Sequence, residues 1–104
     1  MLLSNNAFDA GDIVTMKLVN GDEIVAKIVK DEGLSYTIDR PCTVVPSAKG
    51  MGLIQSLFTA DTKRQIVLNK QHVMMAALSI DAMVSHYLQT TTGIEPVTAG
   101  SIVT

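Results

Sequence analysis

Charge is scarce in this sequence: 17% of its 104 residues are Asp, Glu, Lys or Arg, while 47% are hydrophobic. A usual charged share is roughly 25%. A lone monomer would therefore have few charges to cover its surface, and burial against a partner is the natural remedy. The 8 basic and 10 acidic residues leave a formal charge of -2, with no Lys/Arg cluster. That balance excludes strong nonspecific binding to phosphate backbones. Long apolar runs are missing as well; none approaches the roughly 18 to 20 residues that span a bilayer, so no membrane helix or membrane partner is expected. Met1 to Asp12 has no basic segment and no sustained apolar stretch, unlike a secretion signal, which points to the cytoplasm. The single cysteine, Cys42, cannot close an intramolecular disulfide and offers no metal-ligand spacing, as suits a reducing compartment, and it reads as a packed thiol.

Catalytic groupings are equally thin. His72 and His86 are fourteen residues apart, with no nearby cysteine or conspicuous glutamate. Neither a metal-ligand spacing nor a nucleophile-base pair is visible, so no enzyme activity, cofactor or metal is expected. Gly50-Met51-Gly52 lacks the strand-to-helix context and the Lys-Ser/Thr of a phosphate loop, and reads as a turn.

What is present is strand patterning. Val14, Met16 and Leu18 alternate with Thr15 and Lys17, the period of a half-buried strand. Asn20-Gly21 follows, a dipeptide that accepts positive φ at both central turn positions, and Ile24, Ala26 and Ile28 resume the alternation. An antiparallel hairpin is expected. Asp31-Glu32-Gly33 makes a second turn, after which Leu34, Tyr36 and Ile38 alternate with polar residues. On this phase Tyr36 belongs to the core or an interface. Pro41 and Pro46 bracket Cys42 to Val45, so the third strand must bend, bulge or lie at an edge there. Ser47 to Gly52 reads as a loop, and Leu53 to Thr59 as a strand covered on both faces. Asp61, Lys63 and Arg64 form a charged turn, followed by two strand segments, Gln65 to Asn69 and His72 to Leu78, separated by Lys70-Gln71. Ser79 reads as the N-cap of a helix whose stripe is Ile80, Met83, Val84, Tyr87 and Leu88. His86, on the opposite face, is expected to be solvated. The helix is expected to dock on a barrel opening or on a neighbouring subunit. From Gln89 onward the composition is mostly Thr, Gly, Ala and Ser.

The run Val14 to Ile28, a strand, an Asn-Gly turn and a strand, resembles the first motif of the Sm and LSm family. Ile66-Val67-Leu68-Asn69-Lys70-Gln71-His72-Val73 resembles its second motif. The two span about two thirds of the chain, from Val14 to Leu78. The insertion before the second motif and the helix after it make the layout similar to Sm-like proteins of T4-type phages, including cyanophages. The resemblance implies an all-β fold: a small five-stranded, strongly bent antiparallel Sm-like (SH3-like) barrel with one short C-terminal helix. The chain is expected to divide into an N-terminal arm (1–12), the barrel and helix (13–90) and, from the composition after Gln89, a flexible tail (91–104). For a phage-encoded chain the compartment is the host cytoplasm.

The resemblance also implies a homo-oligomeric ring, in which edge strands of neighbouring copies pair and single-stranded RNA binds at the turns. Family RNA pockets use a loop after the second strand and an Arg-Gly turn in the second motif. Here Lys30-Asp31-Glu32-Gly33 is shorter and lacks the family's Asn, while Asn69 and Lys70 stand at the Arg and Gly positions. The candidate RNA-binding residues are Asn69, Lys70 and His72, where an amide, an ammonium and an imidazole share one turn. Lys30 is added to them, although Asp31 and Glu32 beside it would repel phosphate. A bland alternative stands for that turn, namely that Asn69-Lys70-Gln71 only solvates a strand connection. At the level of function the alternative is a structural or protein-interaction ring that ignores nucleic acid.

Overall fold

The computed structural model describes residues 7–92. They form one antiparallel sheet of six strands: β1 (Ile13–Leu18), β2 (Glu23–Asp31), β3 (Ser35–Ser47), β4 (Gly50–Gln55), β5 (Ile66–Asn69) and β6 (Val73–Leu78), followed by helix α1 (Asp81–Thr92). The strand order is β4-β3-β2-β1-β6, with β5 also on β3. β5 pairs with the first part of β3 (Ser35 to Ile38) and β4 with the last part (Cys42 to Ser47), so the two are halves of one fourth strand interrupted by residues 56–65. The fold is thus all-β, bent and barrel-like with one short C-terminal helix, and the sheet is not closed.

The first hairpin forms where expected, although only the glycine of the Asn20-Gly21 pair takes a positive φ. Met16 pairs with Ile24, the Leu18 N–H donates to the Asp22 carbonyl at 2.8 Å, and Gly21 takes a φ of 95° in the turn. Alternation then divides the apolar residues between two faces. Val14, Met16, Ile24, Ala26, Ile28, Tyr36 and Ile38 form the inner core, to which Phe8 of the N-terminal arm adds its ring. Ile13, Val25 and Cys42 lie on the other face, and α1 covers them with Tyr87, Met83 and Val84. The helix therefore docks on the outer face of its own sheet. Burial of Tyr36 and Cys42 agrees with the sequence reading.

Three irregularities bend the sheet. Between Val25 and Lys27 the partner strand carries an extra residue, at the point where Arg40 adopts a φ of 44° just before Pro41. A left-handed conformation at a non-glycine residue costs on the order of 1 kcal/mol, so its neighbourhood must hold it. It does, because the Arg40 guanidinium donates to the Thr91 carbonyl at the end of α1 and the Tyr87 hydroxyl donates to the Asp39 carbonyl at 2.7 Å. Cationic groups near helix C-termini also oppose the helix dipole. The second bulge is at Val29, where two residues of β2 face one of β3, and the third is at Met74 of β6.

Several local expectations are corrected. Leu34, read in phase with the core, is exposed because β3 starts after it. The expected loop from Ser47 to Gly52 is a tight hairpin in which Ser47 pairs directly with Gly50, whose φ of 118° suits glycine. The expected strand from Leu53 to Thr59 ends at Gln55, leaving Leu57 and Phe58 exposed. Ser79 is not the N-cap: its Oγ lies 2.7 Å from Thr15 Oγ1, and the helix starts at Asp81 with the Ile80 carbonyl accepting from the Met83 and Val84 N–H groups. His86 is half-buried, and its Nε2 has no hydrogen-bond partner among the described residues. The helix continues to Thr92, past the expected start of the tail at residue 91. The rest of that tail, 93–104, and arm residues 1–6 lie outside the described residues.

Candidate nucleic-acid interface and assembly edges

The second-motif turn is built from the backbone outward. Lys70–His72 forms a single 3-10 turn that opens when Asn69 Oδ1 accepts the Gln71 N–H at 2.9 Å. The Lys70 N–H donates to the Leu34 carbonyl at 3.0 Å, and the His72 carbonyl accepts the Val19 N–H at 2.9 Å. These bonds place the 3-10 turn beside both the β2–β3 turn and the β1–β2 hairpin. Three turns therefore meet at one end of the sheet.

The candidate side chains do not gather into one cationic cluster there. Lys70 Nζ lies 2.6 Å from Asp31 Oδ1 and 4.7 Å from the centroid of the Tyr36 ring. The Asp31 side chain is 2% exposed and also accepts the Phe8 N–H at 3.2 Å. Phe8 and Tyr36 are themselves neighbours, with ring centroids 6.2 Å apart. Lys70 is thus the counter-charge of a nearly dry carboxylate, stacked on an aromatic face as cations favour. Its ammonium is accounted for within the fold.

Lys30 occupies the opposite face of the sheet. It pairs with Thr37, which pairs in turn with Val67, while Asp31 pairs with the inward-facing Tyr36. Strict alternation from Ile24 through Ala26 and Ile28 would turn Lys30 inward and Asp31 outward. The bulge at Val29 inverts this, and it alone explains why an acidic residue ends up in the core. Asp31 and Phe8 are the members of this site that sequence reasoning missed, since no local pattern announces a bulge. Exposed Lys30 and His72 are left able to meet a ligand, while the Asn69 side chain is engaged as a cap.

A second set of features lies along the sheet margins. β4, β5 and β6 contain no charged residue at all, and among the described residues each lacks a neighbour on one side. Val14 and Leu78 are cross-strand partners on the inner face, yet Val14 is fully buried while Leu78 is 63% exposed. Among the described residues no strand lies beyond β6 to cover it. Val67 of β5 is also exposed. Edge strands normally carry lysine, proline or other defences against pairing with another chain. These three carry neither charge nor proline; β5 is short, at four residues, and β6 is bulged at Met74.

Elsewhere, a cavity of about 220 Å³ lies between the β3 bend, residues 57–66 and the end of α1, with Arg40, Cys42, Leu57 and Thr91 in its walls. Burial holds the Cys42 thiol above its ordinary range, which keeps it protonated and a poor nucleophile. No three His, Cys, Asp or Glu side chains gather as a metal site among the described residues, and no described helix is long and apolar enough to cross a membrane. No protein-family model matches the chain, and no curated protein is similar to it.

Proposed function

We propose that the protein is a self-assembling Sm-like binding module, in which copies join edge to edge into a homo-oligomeric ring that presents its turn-bearing end to single-stranded RNA. The observation that carries the assembly is Leu78, a core-facing residue left uncovered on a strand with no charge to keep a second chain away. Pairing along these edges would satisfy the unpaired backbone groups and cover the apolar side chains together. A ring is the arrangement in which no edge remains.

For RNA, support comes from the three converging turns and from exposed Lys30 and His72, which repeat around a ring. Since Lys70 already faces Asp31, Lys30 and His72 would supply most of the contact. The second reading, a protein-interaction ring indifferent to nucleic acid, is favoured by that same Asp31–Lys70 pairing, which removes one cation from the surface.

Light scattering combined with fluorescence anisotropy of labelled U-rich and A-rich oligomers separates the two. The RNA reading expects an oligomer that binds saturably, with affinity falling as salt rises because counterions are released. Lys30→Ala and His72→Ala should each weaken it. An assembled ring that binds neither oligomer at low salt leaves the protein-interaction reading.

A further inference from the structure

Residues 56–65, which split the fourth strand, turn apolar side chains outward. Phe58 is 77% exposed and Leu57 about half so, and Lys63 and Arg64 follow within the same insertion. Arg64 is held only loosely, its Nε 3.7 Å from Asp61 Oδ2 with both side chains largely in solvent.

The opposite margin carries a complementary feature. β6 ends at Leu78, and the chain turns through Ser79 and Ile80 into α1 at Asp81. Ile80 is 72% exposed and Asp81 is exposed beside it. This corner is held firmly. The Ser79 N–H donates to the Ile13 carbonyl at 3.0 Å, the Ser79 and Thr15 hydroxyls are 2.7 Å apart, and the Ile80 carbonyl accepts the Met83 and Val84 N–H groups. An apolar side chain displayed on rigid backbone loses little entropy on being covered.

We infer that the insertion of one copy docks on the β6–α1 corner of the next, with Phe58 packed against the partner's Leu78 and the partner's Ile80, and with Lys63 and Arg64 facing the partner's Asp81. This rests on the edge-to-edge assembly proposed above. When two strands pair antiparallel, the start of one faces the end of the other. β5 begins at Ile66, directly after the insertion, and β6 ends at Leu78, directly before the corner. Pairing β5 with the partner's β6 in this sense brings the insertion to the corner. Apolar then meets apolar, and basic meets acidic. The contact is heterologous: the two surfaces differ, and each copy owns one of each.

Heterologous contacts have a signature that mixing reveals. Phe58→Ser and Ile80→Ser change exposed side chains, so circular dichroism and urea midpoints should match the wild type at a dilution where the assembly is dissociated. Each variant should raise the concentration at which the assembly dissociates by about tenfold, the effect of one interface anchor, as measured by sedimentation velocity over a dilution series. An equimolar mixture of the two holds one intact contact per pair, so at a dilution where neither variant associates it should give dimers. Arg64→Glu should weaken assembly, and adding Asp81→Arg in the same chain should restore it. A Phe58→Ser variant that assembles with the wild-type concentration dependence overturns the inference and leaves edge pairing standing. A wild type that is monomeric throughout the series removes the assembly itself, and the docking with it.

Discussion

Val14 and Leu78 face each other across β1 and β6, on the same side of the sheet, and only one of them is buried. The difference lies in the neighbours and not in the residues. Val14 belongs to a strand flanked on both sides, whereas Leu78 belongs to one flanked on a single side. The central strands β1, β2 and β3 bury their apolar residues on both faces, inside the bend and beneath α1. The marginal strands β4, β5 and β6 carry no charged residue, unlike the central three, and leave much of their apolar surface open. A composition poor in charge therefore serves two purposes here, a private core and a shared edge.

The sharpest way to break this comparison is to truncate one side chain in each region. Ile38→Ala in the inner core should lower subunit stability by about 3 kcal/mol, read as a lower urea midpoint with an unchanged slope. Leu78→Ala, measured at a dilution where the assembly is dissociated, should cost under about 1 kcal/mol, because most of that side chain is already in water. Equal losses would mean that the edge is as well covered as the centre.

Ion pairs extend the comparison at smaller scale. Lys70→Ala leaves the Asp31 carboxylate without its counter-charge in a nearly dry site and should cost about 2 kcal/mol; this is below the usual roughly 3 to 5 for a fully buried pair because the ammonium side is partly exposed. Arg64→Ala, at the exposed Asp61 pair on the insertion, should cost less than about 0.5 kcal/mol of subunit stability. Urea titrations of the two variants check both values. A Lys70→Ala protein as stable as the wild type would show that this lysine is free for a ligand after all.

A further expected effect concerns α1 on the outer face. Tyr87→Phe should cost about 1 kcal/mol at pH 7, the worth of its hydrogen bond to the Asp39 carbonyl. Burial foremost, then the negative charge of a Cys42 thiolate and of Asp39, pushes the Tyr87 phenol well above its ordinary value of 10.0, and burial raises Cys42 from 9.0. Both groups are neutral while protonated, and the folded state keeps those protons to a higher pH than the unfolded state does. Their contribution is therefore complete below about pH 9 and is lost as pH rises beyond the ordinary values. Urea midpoints should be level up to that point and then fall, and Tyr87→Phe should fall less steeply above about pH 10. An identical alkaline slope in the variant would place the titrating group elsewhere.

Much of the sheet is legible in local pattern. Alternation from Ile13 to Ile28 and the Asn20-Gly21 turn announce the first hairpin, since side chains alternate faces and glycine accepts a positive φ. The bend at Pro41 follows from a residue that cannot donate to the ladder. Other features have no local signature. Leu34 keeps the core's period but falls outside the strand, and Ser79 has the right residue type for a cap but gives its hydroxyl to Thr15. The candidate RNA site was legible as a turn but not as an arrangement. Asn69, Lys70 and His72 share it as expected, yet one is a cap and one the partly exposed counter-charge of a buried carboxylate.

The sequence by itself determined that this is a strand-built chain, where its first hairpin turns, and that it has too few charges to surround itself. These follow from periods of two and from composition, which act within a few residues. Tertiary structure alone decided that Asp31 turns inward, that Lys70 follows it, that the fourth strand divides around residues 56–65, and that Leu78 lacks a neighbour. The first depends on a bulge in the pairing of neighbouring strands, where one extra residue exchanges the faces of everything after it, and the others on contacts between segments farther apart in the chain.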